Sequence, residues 1–310
     1  VIQHIQAFHV VQQGQTLGFD GRVVPASEGM RYEKALKDKE IRFAYDQDIA
    51  GGIWEDRPPL PAGPVKVLPE EVAGRSTAQK LADVREKLAK EKAGSFLLSK
   101  LDDLMWLFNI RGCDVECNPV ALSYAYITEK EVHLFIQEKA LSEEVKADLA
   151  QKEVIVHPYE SVVDFLKALP EGGTVLVDRR QVSYALYKAV GEKQQLVEAS
   201  NPTELLKAVK NPVELANMEK IFLKDSVALT KFIYWVKTNI GKTEITEITA
   251  ADHLERLRRA IPEFLDLSFP TISAYGPNAA MMHYAPTAEN HAVCKPEGML
   301  LVDSGGQYLG

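Results

Sequence analysis

Short apolar runs alternate along this chain with stretches whose apolar residues recur at helical spacing. That alternation constrains the fold most, because strands and helices taken in turn build an α/β protein. The helix ends are legible. Ser76-Thr77-Ala78-Gln79 forms a capping box, after which Leu81, Val84 and Leu88 share one face and Gly94 is the expected stop. Residues 95–99 read as a buried strand. Residues 121–128 and 132–136 read as two more, joined by a hairpin turn, and residues 161–164 open a short helix that ends before Pro170. Asn211-Pro212-Val213-Glu214 starts a long helix with Asn as cap and Pro at its first position. Its core face is marked by Leu215, Met218, Phe222, Leu229, Phe232 and Val236. A second helix is expected over residues 244–260, with Glu244 and Glu247 early and Arg256, Arg258 and Arg259 late, as the helix dipole prefers.

Two features divide the chain. Between Arg57 and Pro69 there are five prolines in 13 residues, a stiff segment that reads as an interdomain linker. Thr16-Leu-Gly-Phe-Asp20-Gly-Arg22-Val-Val24 is echoed by Thr174-Val-Leu-Val-Asp178-Arg-Arg180-Gln-Val182, and each stretch precedes a helical pattern. Either these are two copies of one domain, or two strand–turn–helix units share letters by chance. If they are copies, roughly 83 residues of the first would precede Val1 by repeat logic.

The 310 residues, 46% apolar and 26% charged, suffice for two or three domains with a sizeable core. A formal net charge of −8 argues against nucleic-acid or anionic-membrane partners, which select basic surfaces. No apolar run approaches a membrane span, and the first residues lack the pattern of a signal peptide. Residue 1 is not Met and need not be the natural start. Cys113, Cys117 and Cys294 are too few for a disulfide framework, which suits a reducing, cytoplasmic setting. A Cys-x3-Cys spacing tolerates zinc, but no second ligand pair lies nearby, so incidental thiols are expected.

Chemistry concentrates near the end. After the two helices come β patterns at 267–273, 279–284 and 298–302, and Asp303 follows the last of these, before Ser304-Gly305-Gly306. A carboxylate at the exit of a buried strand beside glycines can hold a hard cation, or can simply close an Asx-turn. His283, at a strand end beside Tyr284, can donate to a substrate carbonyl or developing oxyanion, ligate a metal, or serve as an interior histidine bonded to backbone. The remaining histidines, His4, His9, His133, His157, His253 and His291, have no partner motif. His-Glu-x-x-His, Gly-x-Ser-x-Gly, phosphate-loop and Gly-x-Gly-x-x-Gly patterns are all absent from the sequence.

Segments spread along the chain resemble the three-domain aminopeptidases P, the Xaa-Pro aminopeptidases of the pita-bread metallopeptidases. They are Leu101-Asp-Asp-Leu-Met-Trp-Leu-Phe-Asn-Ile-Arg-Gly112, Asp114-Val115, Asn118-Pro119-Val120, Leu206-Lys-Ala-Val-Lys-Asn211, Asp266-Leu-Ser-Phe-Pro-Thr-Ile-Ser273, His283-Tyr-Ala-Pro286 and Val302-Asp-Ser-Gly-Gly-Gln-Tyr308. The resemblance implies an α/β (α+β) chain with two creatinase-N-like domains, the first incomplete, followed by the start of a pita-bread catalytic domain. The implied boundaries are 1–66, 67–209 and 210–310. It also implies removal of the N-terminal residue from peptides with proline second, using two divalent ions, usually manganese, in a homodimer. Asp303 would be the first metal ligand and His283 a catalytic histidine that binds substrate or steadies the tetrahedral intermediate. The remaining ligands, and the catalytic base, are expected beyond Gly310. The 310 residues alone are therefore expected neither to hold the dinuclear centre nor to hydrolyse peptides, and the strands near Asp303 are expected to lack partners. The alternatives are a creatinase-like, metal-independent hydrolase and a non-catalytic binding or assembly module.

Overall fold

The structure, a computed structural model, describes residues 11–310. The chain is a mixed α/β protein that divides into two compact units. Among the described residues, one is built from 11–67, Ser76–Gly112 and Val120–Val209, the other from Leu68–Arg75, Cys113–Pro119 and Lys210–Gly310. His4 and His9 lie outside the described residues.

The first unit opens with β1 (Thr16–Gly18), α1 (Ala26–Leu36) and β2 (Arg42–Ala44), with β1 and β2 parallel. After β3 (Lys66–Val67) come α2 (Thr77–Lys90), β4 (Ser95–Leu98), α3 (Leu101–Phe108), β5 (Ile110–Arg111), β6 (Ser123–Thr128) and β7 (Val132–Ile136). The unit continues through α4 (Glu143–Gln151), β8 (Val154–Pro158), α5 (Val162–Ala168), β9 (Thr174–Val177), α6 (Tyr184–Gly191), β10 (Gln195–Glu198) and α7 (Pro202–Ala208). Six of these strands form one mixed sheet in the order β10-β9-β4-β6-β7-β8. Side chains alternate across it as the pleat requires. Phe96, Leu98, Ile127 and Leu134 pack on one face with Val84 and Leu104, whereas Leu97, Tyr126, Phe135 and Val175 pack on the other with Leu166 and Leu186. Layers on both faces explain why β4 and β7 are buried at every position.

The capping box at Ser76 and Gln79 is present. The end of α2 differs from the sequence expectation. Lys92, not Gly94, takes the left-handed turn (φ 58°), with Ala93 N bonded to Leu88 O at 2.9 Å. Gly94 instead runs beside β9, its amide donating to Thr174.

The echoed segments occupy equivalent places. β1-α1-β2 and β9-α6-β10 are both parallel strand–helix–strand units, and the pairing starts at Thr16↔Arg42 in one and Thr174↔Gln195 in the other. In each, the Asp after the strand takes the amide and guanidinium of the Arg two residues on, Asp20–Arg22 and Asp178–Arg180. The two copies also grip one another reciprocally. Ala26 N donates to Val182 O (2.9 Å) and Tyr184 N to Val24 O (2.7 Å), while Ser27 N donates to Arg179 O (2.8 Å) and Ala185 N to Gly21 O (2.9 Å). Each bond has its mate at the offset of the echo, so a local two-fold axis relates the copies.

The second unit carries α8 (Pro212–Asn239), α9 (Glu247–Arg259), β11 (Phe264–Leu267), β12 (Ile272–Tyr275), β13 (Leu300–Asp303) and β14 (Gly306–Tyr308). Asn211 and Glu214 complete the expected capping box. Helix α9 begins later than expected: Thr246 caps it with Thr249, leaving Glu244 outside. Antiparallel pairs β12–β13 and β11–β14 form two separate two-stranded sheets. Phe232, Ile245, Ala250 and Leu254 make the core, joined by Trp235, Leu300 and Val302.

The apolar stripe of α8 is not the core face the periodicity suggests. Phe232 is buried and Val236 packs on the core, but Leu215 (50%), Met218 and Phe222 (66%) are exposed. The reason is length. A helix of 28 residues extends about 42 Å, while α9, at 13 residues, spans about 20 Å and cannot cover it. Residues 279–284 likewise form no strand: a 3₁₀ turn at Gly276–Ala280 is followed by a loop, since Gly276 and His283 both take positive φ. Strand β13 is half-exposed instead of buried, because its outer face has no layer over it among the described residues.

Candidate active site

Strand β13 aligns antiparallel with β12, placing Asp303 opposite Ile272 and Leu300 opposite Tyr275. Leu300 and Val302 turn into the core, so Leu301 and Asp303 point to the opposite, open face, where Leu301 is 40% exposed. The Asp303 carboxylate is exposed and makes no side-chain hydrogen bond or ion pair with the described residues. It does not close an Asx-turn. Beyond it, Gly305 lies close against Ser268: its carbonyl accepts from Ser268 N, and a Cβ there would sit 2.4 Å from Ser268 Oγ, which would have to turn away.

His283 lies in the loop after β12, exposed and with φ at 57°, a left-handed backbone that side-chain-bearing residues adopt rarely. Its imidazole bonds to no described group, and the structure joins His283 and Asp303 by no direct contact.

What fixes this loop is a residue that the sequence marks only as a helix-dipole charge. Glu247, in the first turn of α9, is fully buried. Its Oε1 accepts from Tyr275 N (2.6 Å) and Asn278 Nδ2 (3.0 Å), and its Oε2 from Tyr284 Oη (2.7 Å) and Ala292 N (2.7 Å). Burial, the largest single influence, would raise its pKa. The Tyr275 and Ala292 amides, with Asn278 and Tyr284, outweigh that and hold the carboxyl below the usual range. The Tyr284 hydroxyl is pushed up to about 12 by burial and by this carboxylate. No local pattern reveals such a site, because its donors lie 28 to 45 residues downstream.

The other histidines are accounted for elsewhere. His133 and His157, which showed no partner motif, meet on adjacent strands with Nδ1 and Nε2 3.0 Å apart, and burial followed by the neighbouring ring lowers the pKa of His157. His253 stacks on Trp235 at 3.8 Å, and His291 bonds Thr287 O. Cys117 and Cys294 are buried thiols whose pKa burial raises, and Cys113 is exposed. Among the described residues no three of His, Cys, Asp and Glu are grouped to hold a metal ion. Asp303 is thus an open carboxylate with no cluster of such side chains around it among the described residues.

Residues 56–214 match the model of the Creatinase/Prolidase N-terminal domain, and residues 216–310 match Metallopeptidase family M24. The chain belongs to the creatinase/prolidase family. It is 38% identical over 308 residues to a probable Xaa-Pro aminopeptidase P of Talaromyces marneffei, covering 96% of this chain and 47% of that protein. It is 36% identical over 310 residues to one of Leptosphaeria maculans, covering 96% and 51%. Among solved structures, X-prolyl aminopeptidase from Caenorhabditis elegans, described as a cytosolic enzyme with a di-nuclear active site, superposes with a TM-score of 0.89 at 31% identity. That match covers 97% of this chain and 51% of the other. An Xaa-Pro dipeptidase from Bacillus anthracis, at 16% identity and a TM-score of 0.57, shares the fold. The chain spans about half the length of the curated relatives it matches. No helix among the described residues is long and apolar enough to cross a membrane.

Proposed function

We propose that these residues belong to a metal-dependent Xaa-Pro aminopeptidase, which removes the N-terminal residue from peptides with proline at the second position. The observation that carries this reading is the Asp303 carboxylate, held at the end of β13 on an open face with no competing hydrogen bond, inside the stretch that matches the M24 metallopeptidases. The names of its relatives and the di-nuclear site described for the nematode enzyme support it.

In this reading residues 1–66 and 67–209 form two creatinase-N-like domains and residues 210–310 open the pita-bread catalytic domain. Asp303 would hold one of two divalent ions, manganese in our proposal, and such an ion supplies Lewis acidity toward the peptide carbonyl. His283 would donate a hydrogen bond to the oxygen on which charge develops. We also propose that the enzyme is a cytoplasmic homodimer and that residues 1–310 by themselves hydrolyse no peptide, because a lone carboxylate does not retain two ions.

The test is release of arginine from an Arg-Pro-Pro peptide by the full-length protein, with and without manganese. Metal-stimulated release is expected from the full-length protein and none from the 310-residue chain. A full-length protein that binds the peptide without cleaving it, with or without metal, would instead identify a non-catalytic module, and equal cleavage after chelation would identify a creatinase-like hydrolase.

A further inference from the structure

We propose that Glu247 is a positioning residue for His283: its buried carboxylate clamps the chain on both sides of that histidine and thereby aims the imidazole. The inference rests on the reading of His283 as the substrate-facing histidine.

Three observations carry it. First, all four donors to Glu247 belong to the segment that bears His283 or to its borders: Tyr275 and Asn278 before it, Tyr284 immediately after it and Ala292 beyond. None is in α9. The helix start is already satisfied by the Thr246–Thr249 box, so the carboxylate is not needed as a cap. Second, the stretch next to His283 has no regular structure beyond the 3₁₀ turn at Gly276–Ala280: Met281 and Met282 are exposed, and the backbone bonds that tie this linker to the start of α9, Glu247 N to Ala292 O (3.1 Å) and Cys294 N to Ile245 O (2.8 Å), lie nine or more residues beyond the histidine. Third, His283 stands in the left-handed region, a conformation that persists only where its surroundings impose it. The imposing contact is one residue away: the Tyr284 ring is buried and its hydroxyl is held between Glu247 and Asn278 Nδ2 (3.0 Å). A fully buried carboxylate whose every partner lies around one strained, exposed histidine is a device for orientation.

The test uses the full-length protein and four variants, Glu247→Gln, Tyr284→Phe, His283→Ala and the double variant Glu247→Gln/His283→Ala. Glu247→Gln keeps shape but turns an N–H toward two donors, and Tyr284→Phe removes one tie without opening a cavity. The expected result is a fall in kcat of about 10²-fold for Glu247→Gln and about tenfold for Tyr284→Phe, with KM changed by less than about threefold, as misorientation of a catalytic group predicts. The decisive readout is coupling. In the His283→Ala background Glu247→Gln should cost nothing further, since it acts through the histidine. Amide hydrogen exchange should quicken across residues 281–292 while the middle of α9 stays protected. Multiplicative losses in the double variant, or unaltered kcat in both single variants, would overturn the proposal. Should Glu247→Gln fail to fold, Tyr284→Phe in the two His283 backgrounds decides the same question by the same coupling. If His283→Ala alone leaves activity unchanged, the active-site reading fails and this inference falls with it, an outcome distinct from a catalytic His283 indifferent to Glu247.

Discussion

Gly29 offers the most sharply defined perturbation. It lies on the buried side of α1, and a Cβ there would stand 2.0 Å from Cδ2 of Tyr184 and 2.5 Å from its Cγ, whereas ordinary contact begins at 3.4 Å. Relief would require the ring to retreat, and the ring is boxed in. Phe19 and Tyr45 pack on it at centroid distances of 5.4 and 5.1 Å, and its hydroxyl donates to Glu33 Oε1 at 2.6 Å. Overpacking costs about 1–3 kcal/mol, and losing a hydrogen bond to a carboxylate adds about 1.5–3 kcal/mol if the ring shifts. The helix preference for Ala over Gly returns about 1 kcal/mol. Gly29→Ala should therefore destabilise the first unit by about 2–4 kcal/mol, although the same change in an exposed helix stabilises. Urea titration followed by Trp106 fluorescence, with Trp54 and Trp235 changed to Phe, measures it. Gly29→Ala in a Tyr184→Ala background should lose most of its penalty. A neutral or stabilising Gly29→Ala, or full additivity of the two changes, would refute the argument.

The second unit should be acid-labile. Burial opposes ionisation of Asp225, but hydrogen bonds from Arg258 and Tyr308 prevail and hold it low; Lys224 draws Glu263 down to about 2, and Glu247 is lowered by its four donors. Groups with depressed folded pKa values contribute stability that is complete above the ordinary carboxylate range and is lost as pH falls through the folded values. The melting temperature reported by Trp235 should thus be level near neutrality and drop from about pH 4 toward pH 2, and a level profile there would contradict the assignment. Asp303→Asn, at an exposed site without partners among the described residues, should shift stability of the 310-residue chain by less than about 0.5 kcal/mol while abolishing metal-stimulated peptide cleavage and lowering metal content in the full-length protein. Retained activity would remove Asp303 from the site. The double change Phe222→Ser/Leu223→Ser should leave the 310-residue chain about as stable, within about 0.5 kcal/mol, and reduce its binding of an apolar dye. A large loss of stability would mean that the outer face of α8 is covered.

What the sequence disclosed was local. The boxes at Ser76–Gln79 and Asn211–Glu214 each span four residues and were legible as such, as were β4, β6 and β7 from their apolar runs. Asp303 was legible because it ends an apolar run before glycines. The environment of His283 was not, because Glu247 gathers its donors from 28 to 45 residues away and nothing near position 247 records them. The meeting of His133 and His157, neither of which has a partner motif, was illegible for the same reason, since only the pairing of β7 with β8 brings them together. The periodicity of α8 misled differently: it identifies which side of a helix seeks cover but carries no information about how much chain is there to provide it.

The reciprocal grip between the echoed segments has a consequence for descent. A contact in which each party presents the other with the same two amides and the same two carbonyls is one that a pair of identical chains can make. A forebear with a single strand–helix–strand unit could thus have met its own twin through this seam before tandem duplication sewed the pair into one polypeptide. The fused halves were then free to diverge, as Ala26 and Tyr184 have, because the four main-chain bonds across the seam do not depend on which side chains those positions carry.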